Sequence, residues 1–324
     1  MKKNIKIAFV DFASDFDVNN NDFTSMLSER YNVIIDQKNP DYLFYANFGN
    51  EYLKYDCIRI FYTGECIAPD FNLCDYAMAF ERMSFGDRYL RLPLFRLFQY
   101  RKQYDKLFDR EEIKAVDYSK LFCSFVVSNC FAEDIRSKMF KALSQYKQVS
   151  SGGRYMNNVG GPIKDKYEFQ ARHKFAIAFE NQRHDGYTTE KLVDALAART
   201  VPIYVGDPNI HLDLNEESFI NGNRYNSIEE LVERVKEVDQ NDELYLQILN
   251  SNPILDDKRN NDDLRAFLFN IFDQDYSKAK RRSQMHFSKE HEGFLKRYSK
   301  IDKYTYKKYK RIKNIVYRLT HKAY

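Results

Sequence analysis

Residues 175–208, FAIAFENQRHDGYTTEKLVDALAARTVPIYVGDP, contain the clearest pattern of secondary structure in the sequence. It begins with an apolar run at residues 175–179, passes through a polar loop, and continues as a helical pattern over residues 188–199. A second apolar run follows at residues 201–205. Strands that alternate with helices in this way are typical of a parallel sheet covered by helices. The stretch therefore predicts an α/β protein.

The first eighty residues contain the same alternation. Residues 22–29 predict a helix, with Asn20 or Asn21 in the capping position. Short runs rich in apolar, β-branched and aromatic residues predict five strands, at residues 5–10, 32–35, 42–48, 58–62 and 76–80. Residues 81–120 are charged and lack a strand period, so we expect a helical connection there.

A second alternating region follows the connection. A strand at residues 121–127 precedes a helix over residues 131–146, and Ser227 with Glu230 forms a capping-box pattern at the start of a helix over 227–238. The sequence therefore predicts two α/β halves with a crevice between them. The expected divisions are a first domain at residues 1–115, a second at 116–275 and a tail at 276–324.

Composition and charge exclude several classes of protein. Of the 324 residues, 44% are hydrophobic and 30% are charged, which is a globular balance. Residues 276–324 carry 16 Lys and Arg against 3 Asp and Glu, a local charge of +13, so the net charge of +4 leaves −9 for the preceding part. Because a protein that binds nucleic acid over its whole surface does not keep an acidic body, we expect no nucleic-acid partner.

Common sequence signatures are also missing. There is no GxxxxGK[ST], GxGxxG or HExxH pattern, and the five cysteines form no CxxC pair. An odd number of unpaired cysteines argues against a disulfide framework and against structural zinc. No run of 18 apolar residues occurs, and the apolar stretch at residues 7–10 is too short for a signal peptide. We expect a cytoplasmic protein.

The start of the helix near residue 188 carries an unexpected cation. Glu190 is favoured in the first turn by the helix dipole, whereas Lys191 is not. A lysine beside the free N–H groups of a helix start forms a phosphate cradle, although a solvated lysine beside a capping glutamate is the alternative. Tyr187 lies at the same entrance, where it either stacks on a base, donates to a phosphate or packs over the helix start.

Two further residues follow predicted strands. The segment IRIFYTGE delivers Glu65 at the carboxyl end of a strand, where side chains face the ligand crevice of α/β folds. A solvated glutamate after a glycine turn is the alternative. Arg136 follows the strand at 121–127, and a local ion pair with Glu133 or Asp134 explains it without a ligand.

Together these stretches resemble the α-1,3-fucosyltransferase family, glycosyltransferase family ten. FYTGE, PDFNLCDYAMAF and DRYLRLPLF resemble the family's acceptor block, and FVVSN, SSGGR and NNVGG resemble its connecting block. FENQRHDGYTTEKLVDAL followed by VPIYVGDPNI resembles its donor-binding motif. The resemblance covers residues 58–210 in order.

The resemblance implies a GT-B architecture, in which two Rossmann-like domains face each other across a cleft. It implies that residues 1–115 bind a glycan acceptor, free or lipid-linked, and that residues 116–275 bind GDP-fucose. The implied reaction is transfer of L-fucose with inversion to the 3-hydroxyl of an N-acetylglucosamine in a lactosamine-type unit. The matching positions imply a general base at Glu65, diphosphate contacts at Arg136 and Lys191, and donor contacts at Asn181, Tyr187 and Glu190.

The expected chemistry needs no metal. An inverting transfer requires a base opposite the leaving GDP, and the departing anion is stabilised by Arg136, Lys191 and the helix start. Two Asp-x-Asp triplets, Asp15–Asp17 and Asp273–Asp275, lie outside the glycine-rich loops of the second half, and we interpret them as solvated.

Three departures from the family pattern leave alternatives open. Cys66 stands where relatives commonly have asparagine, the N-terminal strand lacks their tryptophan-containing turn, and the loop at residues 182–185 differs from common forms. A non-lactosamine acceptor, another GDP-linked deoxysugar as donor, or a silent glycan- or nucleotide-binding protein of the same fold remain alternatives.

The tail has a character of its own. Residues 296–324 contain 11 Lys and Arg and one acidic residue, with Tyr309, Ile312, Val316 and Leu319 at helical spacing. This pattern is typical of a basic amphipathic helix on an anionic membrane, and bacterial family members have similar tails. We expect peripheral association with the inner face of the cell membrane; a solvated tail and an RNA-binding tail are the alternatives.

Overall fold

The computed structural model describes residues 2–128 and 135–320. The first half of the chain forms a six-stranded sheet in the order β2-β1-β3-β4-β5-β6, and every neighbouring pair is parallel. Its strands are β1 Asn4–Val10, β2 Asn32–Ile35, β3 Tyr42–Tyr45, β4 Ile58–Tyr62, β5 Tyr76–Ala79 and β6 Tyr89–Arg91. The predicted α/β class is confirmed.

The second half forms a separate five-stranded parallel sheet in the order β11-β10-β9-β7-β8. Its strands are β7 Leu121–Phe125, β8 Val149–Ser151, β9 His173–Phe179, β10 Val201–Val205 and β11 Ile220–Asn221. The central strands β9 and β10 read as continuous apolar runs because both faces of the sheet are covered by helices.

Both sheets are wound in the same way. In each, the second strand lies on one side of the first and the third strand on the other, so the chain changes winding direction between β1 and β3 and again between β7 and β9. In open parallel sheets the crevice at such a reversal, beyond the carboxyl ends of the strands, is where ligands bind. The topology thus singles out one edge on each sheet.

Ten α-helices occur in the described residues: α1 Asp22–Arg30, α2 Arg101–Asp105, α3 Ile135–Ser144, α4 Lys166–Ala171, α5 Glu190–Ala197, α6 Ile228–Gln240, α7 Asp242–Asn250, α8 Asp262–Asp273, α9 Tyr276–Ala279 and α10 His286–Thr320. The predicted caps of α1 and α6 are confirmed. The Asn21 side chain accepts from the Thr24 amide, and the Ser227 hydroxyl accepts from the Glu230 amide.

Several predicted boundaries were wrong. The connection at residues 81–120 contains the strand β6, a three-residue edge strand too short to display a period. Helix α5 begins at Glu190 rather than at residue 188, because Thr189 is extended, with φ −97° and ψ −160°, as its N-cap. The predicted helix start at 131, together with Glu133 and Asp134, lies outside the described residues.

Helix α8 crosses back to the first half of the molecule. Leu264, Leu268 and Phe272 are fully buried in the core beneath the first sheet, where the Phe272 ring stacks on Tyr42 of β3 at 4.1 Å between centroids. The helix lies within the expected second domain, 116–275, yet it packs with the other half. Packing therefore does not follow that division of the sequence.

The last helix, α10, is 35 residues long and is joined to the first sheet near its beginning. The Glu292 carboxylate accepts from the buried Arg59 guanidinium of β4 at 2.8 Å. Among the described helices, α10 included, we find none with a stretch both apolar and long enough to cross a bilayer.

Candidate active site

A cavity of about 590 Å³ lies at the winding reversal of the first sheet. Segments that follow β1, β3 and β4 line it, contributing Phe12, Phe48 and Glu65 among others. Asp15 and Asp17, which the sequence suggested to be solvated, are exposed and also line this cavity.

Glu65 lies in the turn immediately after β4. The Thr63 hydroxyl accepts from the Glu65 amide at 2.9 Å and donates to the Glu65 carbonyl at 3.0 Å, which fixes the turn. Burial raises the pKa of the half-buried Glu65 carboxyl; the Lys191 ammonium opposes this shift and the nearby Glu190 and Glu180 carboxylates add to it. A carboxylate whose pKa is moved toward neutrality is suited to accept a proton.

Arg136 and Asn181 lie together at the winding reversal of the second sheet, between β7 and β9. Arg136 is buried in the first turn of α3, after β7, and Asn181 follows β9. One guanidinium nitrogen of Arg136 donates to the Asn181 Oδ1 at 3.1 Å. The structure therefore brings these two predicted donor-binding residues together, although they are 45 positions apart in the sequence.

A buried carboxylate lies beside them. Glu180 is only 3% exposed and accepts from the Thr189 amide and the Thr189 hydroxyl, both at 2.7 Å, and from Lys191 Nζ at 3.1 Å. Burial alone would lower the pKa of Lys191, but the Glu180 and Glu190 carboxylates raise it, so the ammonium stays charged. Glu180 was not among the residues predicted from the sequence, although it stands in the FEN motif between the strand and Asn181.

Tyr187 and Glu190 complete the set. Tyr187 is 1% exposed and packs edge-to-face on Phe80 of the first half, with ring centroids 4.8 Å apart, which agrees with the packing interpretation of this residue. Glu190 begins α5 with its carboxylate 3.7 Å from Lys191 Nζ. Burial opposes ionisation of Glu190, but Lys191 and Lys166 lower its pKa.

An arginine–aspartate cluster, which was not predicted from the sequence, joins the first half of the molecule to the second. Arg91 of β6 donates to both carboxylate oxygens of Asp213 at 2.7 Å, and Arg82 donates to Asp207 at 2.7 Å and to Asp213 at 2.9 Å. Asp207 is fully buried. These ion pairs hold the loops that carry Asp207 and Asp213 against the first sheet.

The same arginine fixes the loop before α5. Arg91 donates to the Gly186 carbonyl at 2.8 Å and to the Phe80 carbonyl at 3.0 Å. Gly186 has a φ of +81°, and a Cβ at this position would lie 2.2 Å from the Phe80 carbonyl oxygen. Only glycine allows this close approach of the two backbones.

The arrangement has two parts. Glu65, Tyr187, Glu190 and Lys191 lie within electrostatic reach of one another across the interface, whereas Arg136 and Asn181 pair at the second reversal. This geometry places the Glu65 carboxyl, whose pKa is raised, opposite the Lys191 ammonium and its two carboxylate partners, Glu180 and Glu190. Within residues 2–128 and 135–320, no group of three or more His, Cys, Asp or Glu side chains is arranged to hold a metal ion.

Both halves of the chain are similar to known fucosyltransferases. Residues 7–98 match the alpha-(1,3)-fucosyltransferase FucT N-terminal domain, and residues 117–252 match the C-terminal part of glycosyltransferase family 10 (fucosyltransferase). The chain is 33% identical to the alpha-(1,3)-fucosyltransferase FucT of Helicobacter pylori over 298 residues, which cover 77% of this chain and 60% of that protein. The chain thus spans less than two thirds of the length of this relative.

Solved structures extend the similarity to most of the fold. A crystal structure of an alpha1,3-fucosyltransferase with GDP has a TM-score of 0.71 and 30% identity, covering 85% of this chain and 92% of that one. The corresponding complex with GDP-fucose has a TM-score of 0.70 and 28% identity, covering 85% and 93%. The two parallel-sheet domains form the expected GT-B architecture, and the chain belongs to the α-1,3-fucosyltransferases of glycosyltransferase family 10.

Proposed function

We propose that this protein transfers L-fucose from GDP-fucose, with inversion, to the 3-hydroxyl of an N-acetylglucosamine in a lactosamine-type glycan. The observation that carries the proposal is the position of Glu65 beside a cavity at the end of the first sheet, near enough to Lys191 of helix α5 for the lysine charge to act on the Glu65 carboxyl. Family membership and the GDP and GDP-fucose complexes of similar structures support the choice of donor.

In this proposal the acceptor lies in the cavity of the first domain. Its hydroxyl oxygen attacks the anomeric carbon of fucose, its proton passes to the Glu65 carboxylate, and the bond from that carbon to GDP breaks with the electron pair remaining on the phosphate. Attack opposite the leaving group inverts the anomeric centre.

The leaving diphosphate is received by the second domain. Lys191, held by Glu180 and Thr189, and Arg136, held near Asn181, supply positive charge where GDP gains negative charge. The positive end of the α5 helix dipole adds to this field. We propose that these groups suffice without a metal ion.

The test is release of GDP by the purified full chain, supplied with GDP-fucose and a panel of neutral lactosamine acceptors, with and without EDTA. Acceptor-dependent release that EDTA leaves unchanged is the expected result. GDP binding without release on any acceptor would contradict the proposed transfer. If GDP is released faster from another GDP-deoxysugar than from GDP-fucose, that sugar is the donor instead of fucose.

We further propose that α10 lies on an anionic membrane at the cytoplasmic face. Six exposed apolar side chains fall on one face of the helix: Phe287, Phe294, Tyr298, Ile301, Tyr309 and Ile312. Basic residues dominate the remainder of the segment. An apolar stripe combined with lysine and arginine favours the interface of a charged bilayer.

Vesicle sedimentation tests this second proposal. The full chain should sediment with phosphatidylserine-containing vesicles and remain in solution with phosphatidylcholine alone. The double variant Phe294→Ser/Ile301→Ser should bind less, because it interrupts the exposed stripe without changing the charge. Equal sedimentation with both lipids, or with neither, would contradict it.

A further inference from the structure

The cavity beside Glu65 carries charge of one sign. Its charged lining residues are Asp15, Asp17, Asp22 and Glu65, and within the part of the chain that the structure describes no lysine, arginine or histidine lines it. Asp15 and Asp17 are exposed, whereas the Asp22 carboxylate accepts from the Phe98 amide at 2.7 Å. A cleft lined by one sign of charge concentrates the local field, so this cavity repels anions.

The same cavity presents aromatic rings. Phe12 and Phe16 stack with centroids 4.1 Å apart, and Phe48 lines the cavity with 58% of its surface exposed. Aromatic rings of this kind pack against the face of a pyranose ring that presents its C–H groups. Aromatic walls with a few polar groups are typical of small-molecule sites, and the volume lies within their usual range.

Tyr62, which also lines the cavity, points independently to a polar ligand. Its side chain is 5% exposed, and its hydroxyl has no hydrogen-bond partner among the described residues. Burial raises the pKa of Tyr62, so the hydroxyl keeps its proton and remains a donor. Because a buried unpaired hydroxyl is costly, an oxygen of a ligand in the cavity is a favourable partner.

We infer that this cavity selects an uncharged saccharide and rejects acceptors that carry a carboxylate, sulfate or phosphate near the reacting hydroxyl. A neutral sugar donates its hydroxyl protons to the carboxylates and rests its apolar face on Phe12, Phe16 and Phe48. An anionic acceptor would add a further negative charge beside Glu65. The inference rests on the proposed function and specifies its substrate class.

The experiment compares GDP release on N-acetyllactosamine with release on its 3′-sialylated form, using the full chain at low salt. We expect kcat/KM to favour the neutral glycan by about tenfold or more, since juxtaposed like charges are strongly unfavourable. Asp15→Asn/Asp17→Asn should reduce this ratio by about threefold or more, since half of the lining charge is removed. Glu217→Gln/Glu243→Gln makes the same change in net charge on exposed positions of the second domain and should leave the ratio unchanged.

Salt provides a second test of the same cause. In about 1 M NaCl the screening length falls to about 3 Å. The ratio of kcat/KM between the neutral and the sialylated glycan should therefore decrease for the unmodified protein. Equal use of both glycans, or a preference that survives both high salt and the Asp15/Asp17 variant, would overturn the inference while leaving the fucosyl transfer intact. No release with either glycan would instead overturn the proposed function.

Discussion

Replacement of Glu180 by glutamine removes one negative charge from the centre of the second domain and keeps the shape of the side chain. The carboxylate accepts three hydrogen bonds, two from Thr189 at 2.7 Å and one from Lys191 at 3.1 Å. Glutamine keeps one acceptor oxygen but turns an NH₂ group toward donors. Lys191 would then lose its closest carboxylate.

The magnitude follows from burial. Breaking a buried ion pair by removing one partner costs about 3–5 kcal/mol. The Lys191 side chain is 21% exposed and Glu190 lies 3.7 Å away, so part of the loss is compensated and we expect about 3 kcal/mol of lost stability, the lower end of that range. Because Lys191 is then less well held, GDP affinity should fall by about tenfold, equivalent to about 1.4 kcal/mol.

Urea unfolding and calorimetric titration with GDP would measure the two effects separately on Glu180→Gln. Glu217→Gln is the matched control, because Glu217 is an exposed carboxylate of the same domain; a change within about 0.5 kcal/mol is expected. Stability and GDP affinity of Glu180→Gln within the range of this control would refute the role of Glu180 in holding Lys191.

Three further changes test the site. Glu65→Gln should fold and bind GDP but lose most turnover. Because burial raises the pKa of Glu65, the turnover rate of the unmodified protein should fall as the pH drops through that raised pKa. A Gln variant with the same rate and the same pH profile would remove Glu65 from the mechanism. Lys191→Ala should weaken GDP binding by about 1–3 kcal/mol, whereas exposed Lys164→Ala should not, and equal titration curves would contradict the anion cradle. Gly186→Ala should lower the melting temperature more than Gly160→Ala does: both glycines have positive φ, 81° and 84°, but only Gly186 faces a backbone oxygen, so equal melting temperatures would argue against that close approach.

Sequence pattern was sufficient for the interior strands and insufficient at the edges. Strands such as β9 are buried on both faces, so their apolar runs are visible without a partner. Strand β6 has three residues, one of them Arg91, and its strand character comes from pairing with β5. Helix α8 is amphipathic in sequence, but no local signal states which sheet receives its apolar face.

Site residues that are neighbours in the sequence could be predicted, whereas residues that only folding brings together could not. Lys191 and Glu190 stand together at a helix start, so the dipole argument identified them. Glu180 is followed by a polar loop and looks solvated, although folding returns Thr189 and Lys191 to its carboxylate. Arg82 and Asp213 are 131 positions apart, and a pairing over such a separation leaves no trace in a single sequence.

The return of α8 to the first sheet makes the N-terminal domain discontinuous along the gene. Leu264, Leu268 and Phe272 belong to its core, and Arg282 is ion-paired with the fully buried Asp75 of the same half. A fragment that stopped at residue 115 would expose the apolar surface that these residues cover. Exchange of N-terminal domains between relatives would therefore require two crossover points, one before β7 and one before α8, so that the C-terminal segment stays with the sheet it packs on.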